Sequence, residues 1–343
     1  MNPALVVVVC LLIIAFSIIV ITFHRSSLVY NKLFGNREEK KEYLKYFSTY
    51  DFPELSSQRV TFQNNDGKTL CGYFYYYLKE RPFKAVIVFC HGFNSGHANY
   101  MKEIEYFASL GYVVLGYDNT GTHESEGKNI KGFSQGILDL DAAINLVKSK
   151  AEFKQHKIIV IGHSWGGYNA LNVFNLRHKV AGVIALSPFN SADEMIVKMT
   201  NSTGIMKKFV KMQNHFRFGK LGKESCENAI KRCNAPTLIL HGKKDEISPF
   251  YDNFTPIQKA AEGNNLVEYE VYENKGHNVY NTTQAEQYLK KVFTAYYALG
   301  IKENKAGIEK ATEFFSSVNF NIMTTQDMKV LETIDKFLRK ITD

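Results

Sequence analysis

Three residues whose side chains can together cleave an acyl bond follow one another along the chain: Ser164, Asp245 and His277. Ser164 lies in residues 162–166 (GHSWG), which fit the pattern G-x-S-x-G. A serine hydroxyl becomes a nucleophile when a histidine takes its proton, and the histidine needs an acid that holds its tautomer. We therefore predict that Ser164 is the nucleophile, His277 the general base and Asp245 the orienting acid.

The segments around these residues support that prediction. The apolar run 158–161 precedes the serine motif and a helical pattern follows it, as a strand–turn–helix nucleophile requires. Asp245 and His277 each follow a predicted strand, 237–241 and 266–272. Alone, each residue has an ordinary interpretation as a turn serine, a capping aspartate or a surface histidine. Their joint placement at the carboxyl ends of strands favours a shared site.

An acyl-transfer site also needs donors for the oxyanion. The apolar strand predicted over 85–90 is followed by His91, Gly92 and Phe93. We predict that the backbone amides of Phe93 and Trp165 form the oxyanion hole. His91 is interpreted as a residue that organises the loop rather than as a catalytic group.

The elements that must position these residues alternate between apolar strands and amphipathic helices after residue 59. A hairpin is predicted around residues 64–67, and further strands over 112–117 and 180–187. Helices are predicted over 101–110, 134–149 and 165–176. This alternation predicts an α/β fold with a mostly parallel sheet covered by helices on both faces.

Two stretches interrupt the alternation. Residues 188–234 stand between two strands, where a small helical cap could cover the site. Residues 281–324 precede a terminal amphipathic helix at about 325–341, and they could form an additional layer on the sheet or a docking surface. The predicted domains are an anchor (1–24), a connector (25–58) and one catalytic domain (59–343) with the cap and an extended C-terminal helical region.

The motifs resemble those of a known family. Residues 59–280 resemble the α/β-hydrolase superfamily, in particular its monoacylglycerol-lipase-like and serine-aminopeptidase-like members, on the motifs at 86–92, 111–118 and 162–167 together with Asp245 and His277. The resemblance implies the α/β-hydrolase fold and hydrolysis of an ester, thioester or amide, with no cofactor and no metal. It does not define the substrate, because this fold supports many reactions. His123 stands where a glycine is common in these relatives.

The N-terminus predicts a membrane anchor. Residues 4–23 form a run of 20 residues whose polar members are Ser17 and Thr22. Such a run spans about 30 Å as a helix, the thickness of a bilayer core. No Lys or Arg precedes it and no small-x-small cleavage pattern follows it, so an uncleaved anchor is favoured over a signal peptide.

The charge distribution favours a cytoplasmic catalytic domain. Six basic residues lie within 25–45, after the apolar run, and the positive-inside rule then keeps the bulk of the chain in the cytoplasm. Three N-x-S/T tripeptides, at Asn201, Asn253 and Asn281, are of a kind that chance supplies readily, and they leave this expectation unchanged.

The excess of basic residues is local. The chain has 343 residues, 45% of them hydrophobic, and a net charge of +8, which excludes a disordered protein. Residues 201–235 hold eight basic residues against two acidic ones.

This segment includes a helical apolar stripe flanked by lysines: Ile205, Phe209, Met212 and Phe216. The stripe could cover the catalytic cleft or could touch an anionic lipid surface. No nucleic-acid motif accompanies the charge, so nucleic acid is not expected as a partner.

These observations predict a membrane-anchored serine hydrolase that acts on a small-molecule acyl substrate. The anchor and the basic cap favour a lipid-like or acyl ester over an amide. A serine peptidase or amidase of the aminopeptidase type is the alternative within the class, and a non-catalytic membrane-tethered binding protein is the alternative outside it. The five cysteines lack a disulfide or zinc spacing and are expected to be free thiols.

Overall fold

The computed structural model describes residues 2–302 and 304–343 and is built around one eight-stranded sheet. In chain order the strands are β1 (Leu55–Gln63), β2 (Thr69–Tyr77), β3 (Val86–Cys90), β4 (Val113–Tyr117), β5 (Ile158–His163), β6 (Gly182–Leu186), β7 (Thr237–Gly242) and β8 (Val267–Tyr272). Across the sheet they follow the order β1-β2-β4-β3-β5-β6-β7-β8. Strand β2 is antiparallel to β1 and β4, and all other neighbours are parallel.

The central strands are apolar along their whole length because both faces of the sheet are covered. Every residue of β3, β4, β5 and β6 is buried. Successive side chains point to opposite faces, so Val86 and Val88 belong to one hydrophobic core, whereas Ile87 and Phe89 belong to the other. This explains why these strands lack the alternating pattern of a half-exposed sheet.

Helices supply the two covering layers. In chain order they are α1 (Pro3–Phe34), α2 (Met101–Ser109), α3 (Gln135–Ser149), α4 (Trp165–Leu171), α5 (Ala192–Met199), α6 (Gly204–Phe218), α7 (Cys226–Ile230), α8 (Phe250–Ala260), α9 (Thr283–Ala298), α10 (Lys305–Ser316), α11 (Phe320–Met323) and α12 (Met328–Thr342). Helices α3, α4 and α8 contribute to the core that contains Val86, and α2 and α12 contribute to the opposite core. The predicted α/β fold with a mostly parallel sheet and helices on both faces is confirmed.

The N-terminal helix is longer than the predicted anchor. It continues past residue 24 to Phe34, so the first ten residues of the predicted connector are helical. Residues 7–21 are exposed, whereas Ser26, Tyr30 and Phe34 are buried against the catalytic domain. Among the described residues, α1 is the one helix that is long and apolar enough to cross a membrane by length and composition. The boundary at residue 24 marks where hydropathy falls, which is not where the helix ends.

The cap segment between β6 and β7 contains α5, α6 and α7, and the apolar stripe of α6 is exposed at its two ends, whereas Phe209 and Met212 in its middle are half-buried. Phe216 is 69% exposed and Ile205 is 59% exposed. The buried residues of α6 are instead Val210, Gln213 and Asn214. Gln213 and Asn214 face inward because Ser26 and Tyr30 of α1 provide hydrogen-bond partners for them. The two interpretations of the stripe, a cover for the cleft and a contact with an anionic lipid surface, both stay predictions.

The second interruption forms a helical unit beside the connector. In α9 and α10, Tyr296 and Phe315 lie with ring centroids 4.9 Å apart, and Tyr43 of the connector stacks on Phe315 at 5.4 Å. Contacts between aromatic rings contribute free energy in addition to that of the apolar area that the rings bury, so they stabilise this group of helices. The connector and the C-terminal extension are thereby joined.

The cysteines are unpaired, as expected. Cys71, Cys90 and Cys226 are buried free thiols, Cys233 is half-buried and Cys10 is exposed on α1. Burial raises the pKa of the Cys90 thiol to about 12, so this group is inert near neutral pH.

Candidate active site

Ser164 occupies a sharp turn between β5 and α4. Its backbone has φ of +58° and ψ of −115°, a left-handed conformation that is uncommon for a residue with a side chain. Two backbone hydrogen bonds hold the turn: Ser164 N–H donates to the carbonyl of Leu186 at 2.8 Å, and Tyr168 N–H donates to the carbonyl of Ser164 at 2.9 Å. The side chain is half-buried, whereas its chain neighbours are buried.

The glycines of the motif are required by close backbone approaches. A methyl group on Gly162 would collide with the carbonyl of Gly166, and one on Gly166 would collide with the carbonyl of Cys90. The first clash lies inside the turn, and the second lies where α4 packs against the end of β3. Glycine at both positions therefore lets the strand, the turn and the helix pack tightly enough to hold the strained serine.

His277 and Asp245 are in direct contact. His277 follows β8, and its Nδ1 lies 2.8 Å from Oδ2 of Asp245, which follows β7. The other carboxylate oxygen, Oδ1, accepts hydrogen bonds from the backbone amides of Ile247 at 2.9 Å and Ser248 at 2.8 Å. The buried carboxylate is thus fixed by its own turn, and it places the proton of His277 on Nδ1, which leaves Nε2 able to act as a base.

The electrostatics of this pair favour a charged Asp245. Burial by itself would raise the pKa of Asp245, but the hydrogen bond and charge of His277 and the Ser248 amide lower it below its ordinary value. His241, 3.5 Å from the same carboxylate, donates from Nε2 to the Ser248 carbonyl at 2.8 Å. Burial lowers the pKa of His241, so it stays neutral beside the pair.

The structure places His277 beside the residue that precedes the serine. The rings of His163 and His277 lie 4.8 Å apart, and Nε2 of His163 lies 3.0 Å from the carbonyl oxygen of His277. Among the described residues, no hydrogen bond is seen between Ser164 Oγ and His277. In enzymes without substrate such contacts are often long and shorten in the substrate complex.

The loop after β3 lies against the serine. A methyl group on Gly92 would lie 3.6 Å from Cβ of Ser164, so Phe93 follows directly on the loop that faces the nucleophile. Among the described residues, the backbone amides of Phe93 and Trp165 donate no hydrogen bond to the protein. The rings of the two residues lie 6.0 Å apart with an interplanar angle of 79°.

His91 joins this loop to the loop after β4. Its Nδ1 lies 2.7 Å from the carbonyl of Gly92, and its Nε2 accepts a hydrogen bond from the backbone amide of Asn119 at 3.0 Å. Burial lowers the pKa of His91 to about 4, so its imidazole is neutral near pH 7. The expected loop-organising contacts are therefore present.

A chain of hydrogen bonds connects the loop after β3, which carries Gly92 and Phe93, to His277. The hydroxyl of Tyr100 accepts from Gly92 N–H at 3.0 Å and lies 2.9 Å from Nδ1 of His163. Burial lowers the pKa of His163 to about 3, so the ring carries one proton near pH 7. Tyr100 therefore donates to Nδ1, and His163 Nε2–H donates to the carbonyl of His277.

The carboxylate of Glu286 on α9 holds the loop that carries His277. Its Oε2 accepts from Gly276 N–H at 2.8 Å, and its Oε1 accepts from Asn278 N–H at 2.7 Å. These two amides flank His277 on either side. Neither Glu286 nor Tyr100 is predictable from the sequence, because neither is part of a recognisable motif and both make their contacts only once the chain has folded.

His123 lies on the loop after β4, at the position where a glycine is common in relatives. It adopts φ of +39°, and its backbone is held by the connector: Arg37 donates to its carbonyl at 2.6 Å, and its own N–H donates to the carbonyl of Glu38 at 2.7 Å. A methyl group on Gly96 would collide with the imidazole of His123. The departure from glycine is thus accommodated by Gly96 and by the connector, and it leaves the three predicted catalytic residues in place.

The arrangement can support acyl transfer. A serine on a strained turn, a histidine whose Nδ1 contacts a carboxylate, and two backbone amides beside the serine are the parts that this chemistry uses. No group of three or more His, Cys, Asp or Glu side chains that could hold a metal ion is found in the described residues.

Comparisons with known proteins agree with this fold. Residues 81–220 match the family model described as serine aminopeptidase, S33. The chain is 25% identical over 211 residues to the uncharacterized protein YfhR of Salmonella typhi, which covers 57% of this chain and 67% of that protein. It is 23% identical over 235 residues to a monoglyceride lipase homolog of Monkeypox virus, which covers 58% of this chain and 84% of the viral protein.

Among solved structures, the Pyrococcus furiosus esterase Pf2001 superposes with a TM-score of 0.57 at 18% identity, covering 82% of this chain and 98% of the esterase. At this identity the superposition shows the fold alone. Together these comparisons show that the chain has the α/β-hydrolase fold and that its residues 81–220 resemble the serine aminopeptidases of family S33.

Proposed function

We propose that this protein is a membrane-anchored serine hydrolase that cleaves an acyl ester through an acyl-enzyme. The observation that carries the proposal is the contact between His277 Nδ1 and buried Asp245, formed beside the strained turn of Ser164. Ser164 Oγ attacks the acyl carbonyl as His277 Nε2 takes its proton. The amides of Phe93 and Trp165 stabilise the oxyanion.

The two halves of the reaction use the same groups. When the tetrahedral intermediate collapses, the bond from the acyl carbon to the leaving alkoxide breaks, and His277 gives its proton to the departing oxygen. Water then attacks the acyl-serine while His277 accepts its proton, and the acid leaves as Ser164 regains its hydrogen. Asp245 stays ionised throughout and stabilises the imidazolium.

Covalent labelling with a fluorophosphonate probe tests the nucleophile. The full-length protein in detergent is expected to be labelled, and Ser164→Ala is expected to lose all labelling with an unchanged melting temperature. Ser109→Ala, an exposed serine on α2, serves as the matched control and is expected to be labelled like the wild type. Failure of the folded wild type to be labelled would favour the non-catalytic alternative, and equal labelling of Ser164→Ala would show that another residue is the nucleophile.

A peptidase or amidase activity is the second candidate, and the match to a serine aminopeptidase family model favours it. The two candidates differ in the leaving group, which is an alkoxide in an ester and an amine in a peptide. A series of p-nitrophenyl esters of increasing acyl length, assayed beside aminoacyl-p-nitroanilides, separates them. We expect the higher kcat/KM on an ester, and a higher kcat/KM on an aminoacyl anilide would establish the peptidase.

We propose that α1 spans the membrane and that the catalytic domain lies on the cytoplasmic side, with the cap against an anionic leaflet. The continuous apolar run of α1 ends near Phe23. The exposed ring of Phe216 on α6 packs edge-on against the Phe23 ring, with a centroid distance of 6.0 Å. Lys208, Lys220 and Lys223 make no ion pair among the described residues, so their charges are available to lipid phosphates. Each such basic residue contributes about 1 kcal/mol near an anionic surface.

Vesicle binding tests the cap contact, and protease protection tests the side. In the protein that lacks residues 2–24, Ile205→Ser and Phe216→Ser are expected to weaken binding to phosphatidylserine vesicles, whereas Ile322→Ser on α11, an exposed apolar residue of the C-terminal extension, is the control and should bind unchanged. Equal vesicle binding by all three variants would contradict the cap contact. Protection of the catalytic domain in sealed, right-side-out cells would agree with a cytoplasmic domain, and its digestion would place the domain outside.

A further inference from the structure

The inner end of α1 packs into a group of aromatic rings beside the candidate nucleophile. We call Phe34, Phe93, Phe133 and Trp165 the oxyanion cluster. The ring centroid of Phe34 lies 5.9 Å from that of Phe93 and 5.0 Å from that of Phe133, both edge-on. Phe93 in turn lies 5.1 Å from Phe133 and 6.0 Å from Trp165. Phe34 thus closes the cluster on the side of the N-terminal helix.

Two members of this cluster are the residues whose amides face the oxyanion in the proposed function. Trp165 is anchored through its indole, because Nε1–H donates to the carbonyl of Phe133 at 2.8 Å. Phe93 has no comparable polar anchor in the described residues, and its loop contains Asn94 with φ of +54°. The position of the Phe93 ring therefore depends on the rings that surround it, and Phe34 is one of three.

Phe34 is itself held firmly. It is 1% exposed, and its carbonyl accepts a hydrogen bond from the backbone amide of Ile130 at 3.2 Å. One turn earlier, Tyr30 donates to Asn214 of the cap at 3.2 Å, and Ser26 accepts from Gln213 at 2.9 Å. Residues 26–34 of α1 are therefore fixed to the domain, while the preceding apolar residues are exposed.

We propose that Phe34 is a positioning residue of the oxyanion hole, so that the inner turns of the N-terminal helix are part of the catalytic apparatus as well as of the anchor. The inference rests on the proposed function. The Phe34 ring limits where the Phe93 ring can lie, and it thereby helps to set the direction of the Phe93 amide, together with His91 Nδ1 and Ser95 Oγ, which both lie 2.7 Å from the Gly92 carbonyl of the same peptide group. Enzymes lose about 10²-fold in rate for a displacement of about 1 Å in such a group.

The test uses the full chain in detergent, with p-nitrophenyl butyrate as substrate. Phe34→Ala and Phe34→Leu are compared with Phe74→Ala and Phe74→Leu. Phe74 is a suitable control because it is also a phenylalanine that is 1% exposed in the same hydrophobic core, but its ring neighbour is Phe153 at 4.9 Å, outside the oxyanion cluster. The burst of p-nitrophenol measures the concentration of active sites, so kcat is expressed per active site.

Phe34→Ala is expected to lower kcat per active site about tenfold or more with KM unchanged within about twofold, because the oxyanion contact is made only in the transition state. Phe34→Leu, which keeps more of the volume, is expected to lose about threefold. The affinity for a trifluoromethyl ketone, whose tetrahedral adduct carries the same oxyanion, should weaken by the same factor as kcat. Both Phe74 variants should lower the melting temperature and keep the wild-type kcat per active site.

The inference is overturned if the Phe34 variants keep the wild-type kcat, or if the Phe74 variants lose as much. If Phe34→Ala does not fold, the comparison of Phe34→Leu with Phe74→Leu decides. The proposed function fails separately: in that case the wild type itself shows neither a burst nor labelling.

Discussion

Replacement of Glu286 by glutamine tests how His277, the proposed catalytic base, is positioned. The carboxylate accepts one hydrogen bond on each oxygen, from the amides of Gly276 and Asn278, at 2.8 and 2.7 Å. A glutamine offers one carbonyl oxygen and one NH₂ group, and the NH₂ group cannot accept a hydrogen bond from an amide. One of the two backbone amides is therefore left without its acceptor, and it faces the NH₂ group of the glutamine, which is itself a donor.

The magnitude follows from those two contacts. A hydrogen bond to a charged group contributes about 1.5–3 kcal/mol, and leaving a part-buried donor unpaired costs about 1–3 kcal/mol. Because the site is part-buried, we expect a loss of about 2 kcal/mol in the free energy of unfolding. This corresponds to a decrease of about 4–8 °C in melting temperature on the scale of medium-sized domains. The amides flank His277, so its ring should shift and kcat should fall about 10- to 100-fold.

The assay combines thermal unfolding with the steady-state kinetics of p-nitrophenyl butyrate. Glu246→Gln is the matched control: the same change, beside Asp245, in an exposed carboxylate that pairs with Lys290 of α9 at 2.8 Å. Such exposed pairs contribute about 0–1 kcal/mol, so this control should keep its stability and kcat. If Glu286→Gln loses stability but keeps kcat within about twofold, Glu286 supports the fold without positioning His277, and our reasoning is refuted.

Three further predictions concern other contacts. Tyr100→Phe removes both the acceptor of Gly92 N–H and the donor to His163, and we expect kcat to fall about tenfold in the p-nitrophenyl butyrate assay; an unchanged kcat would show that the chain of hydrogen bonds from the loop after β3 to His277 has no catalytic effect. Burial raises the pKa of Glu103 to about 7 from 4.5, so the folded protein binds this proton more tightly than the unfolded chain and stability should fall as pH rises from about 4.5 to 7. Denaturant titrations at several pH values measure this change in the free energy of unfolding, and Glu103→Gln should reduce it by up to about 3 kcal/mol. An equal pH dependence of the free energy of unfolding in both proteins would contradict the prediction. Deletion of residues 2–24 should move the protein from the membrane to the soluble fraction after carbonate extraction while Phe34 stays packed and kcat is retained; continued membrane pelleting would indicate the cap or the C-terminal region as the attachment.

Much of the arrangement of the candidate active site could be predicted because local patterns and strand order encode it. Gly162 is required by a backbone contact inside one turn, and such a contact depends on residues only a few positions apart, whereas Gly166 is required where α4 packs against the end of β3. Asp245 and His277 follow strands, and parallel strands bring their carboxyl ends to one edge of the sheet whatever lies between them. The contact between these two residues therefore follows from strand order.

The helix–cap contact could not be predicted from periodicity. The pattern of α6 marks Ile205 and Phe216 as its apolar face, yet both are exposed, and Gln213 is buried instead. Its burial is favourable only because α1, almost 190 residues earlier, supplies Ser26 as an acceptor. A hydrophobic pattern identifies an amphipathic helix, but it does not identify which surface that helix meets.

The amino-acid sequence by itself determined the strand–helix alternation, the types and order of the proposed catalytic residues, and the presence of an apolar N-terminal segment, because each depends on local composition or on the topology of a parallel sheet. Tertiary structure alone decided that the apolar helix continues to Phe34 and joins the oxyanion cluster, and that Glu286 holds both amides beside His277. These contacts join segments that are distant in the chain or lack a motif, and their free energy exists only once the whole domain has packed.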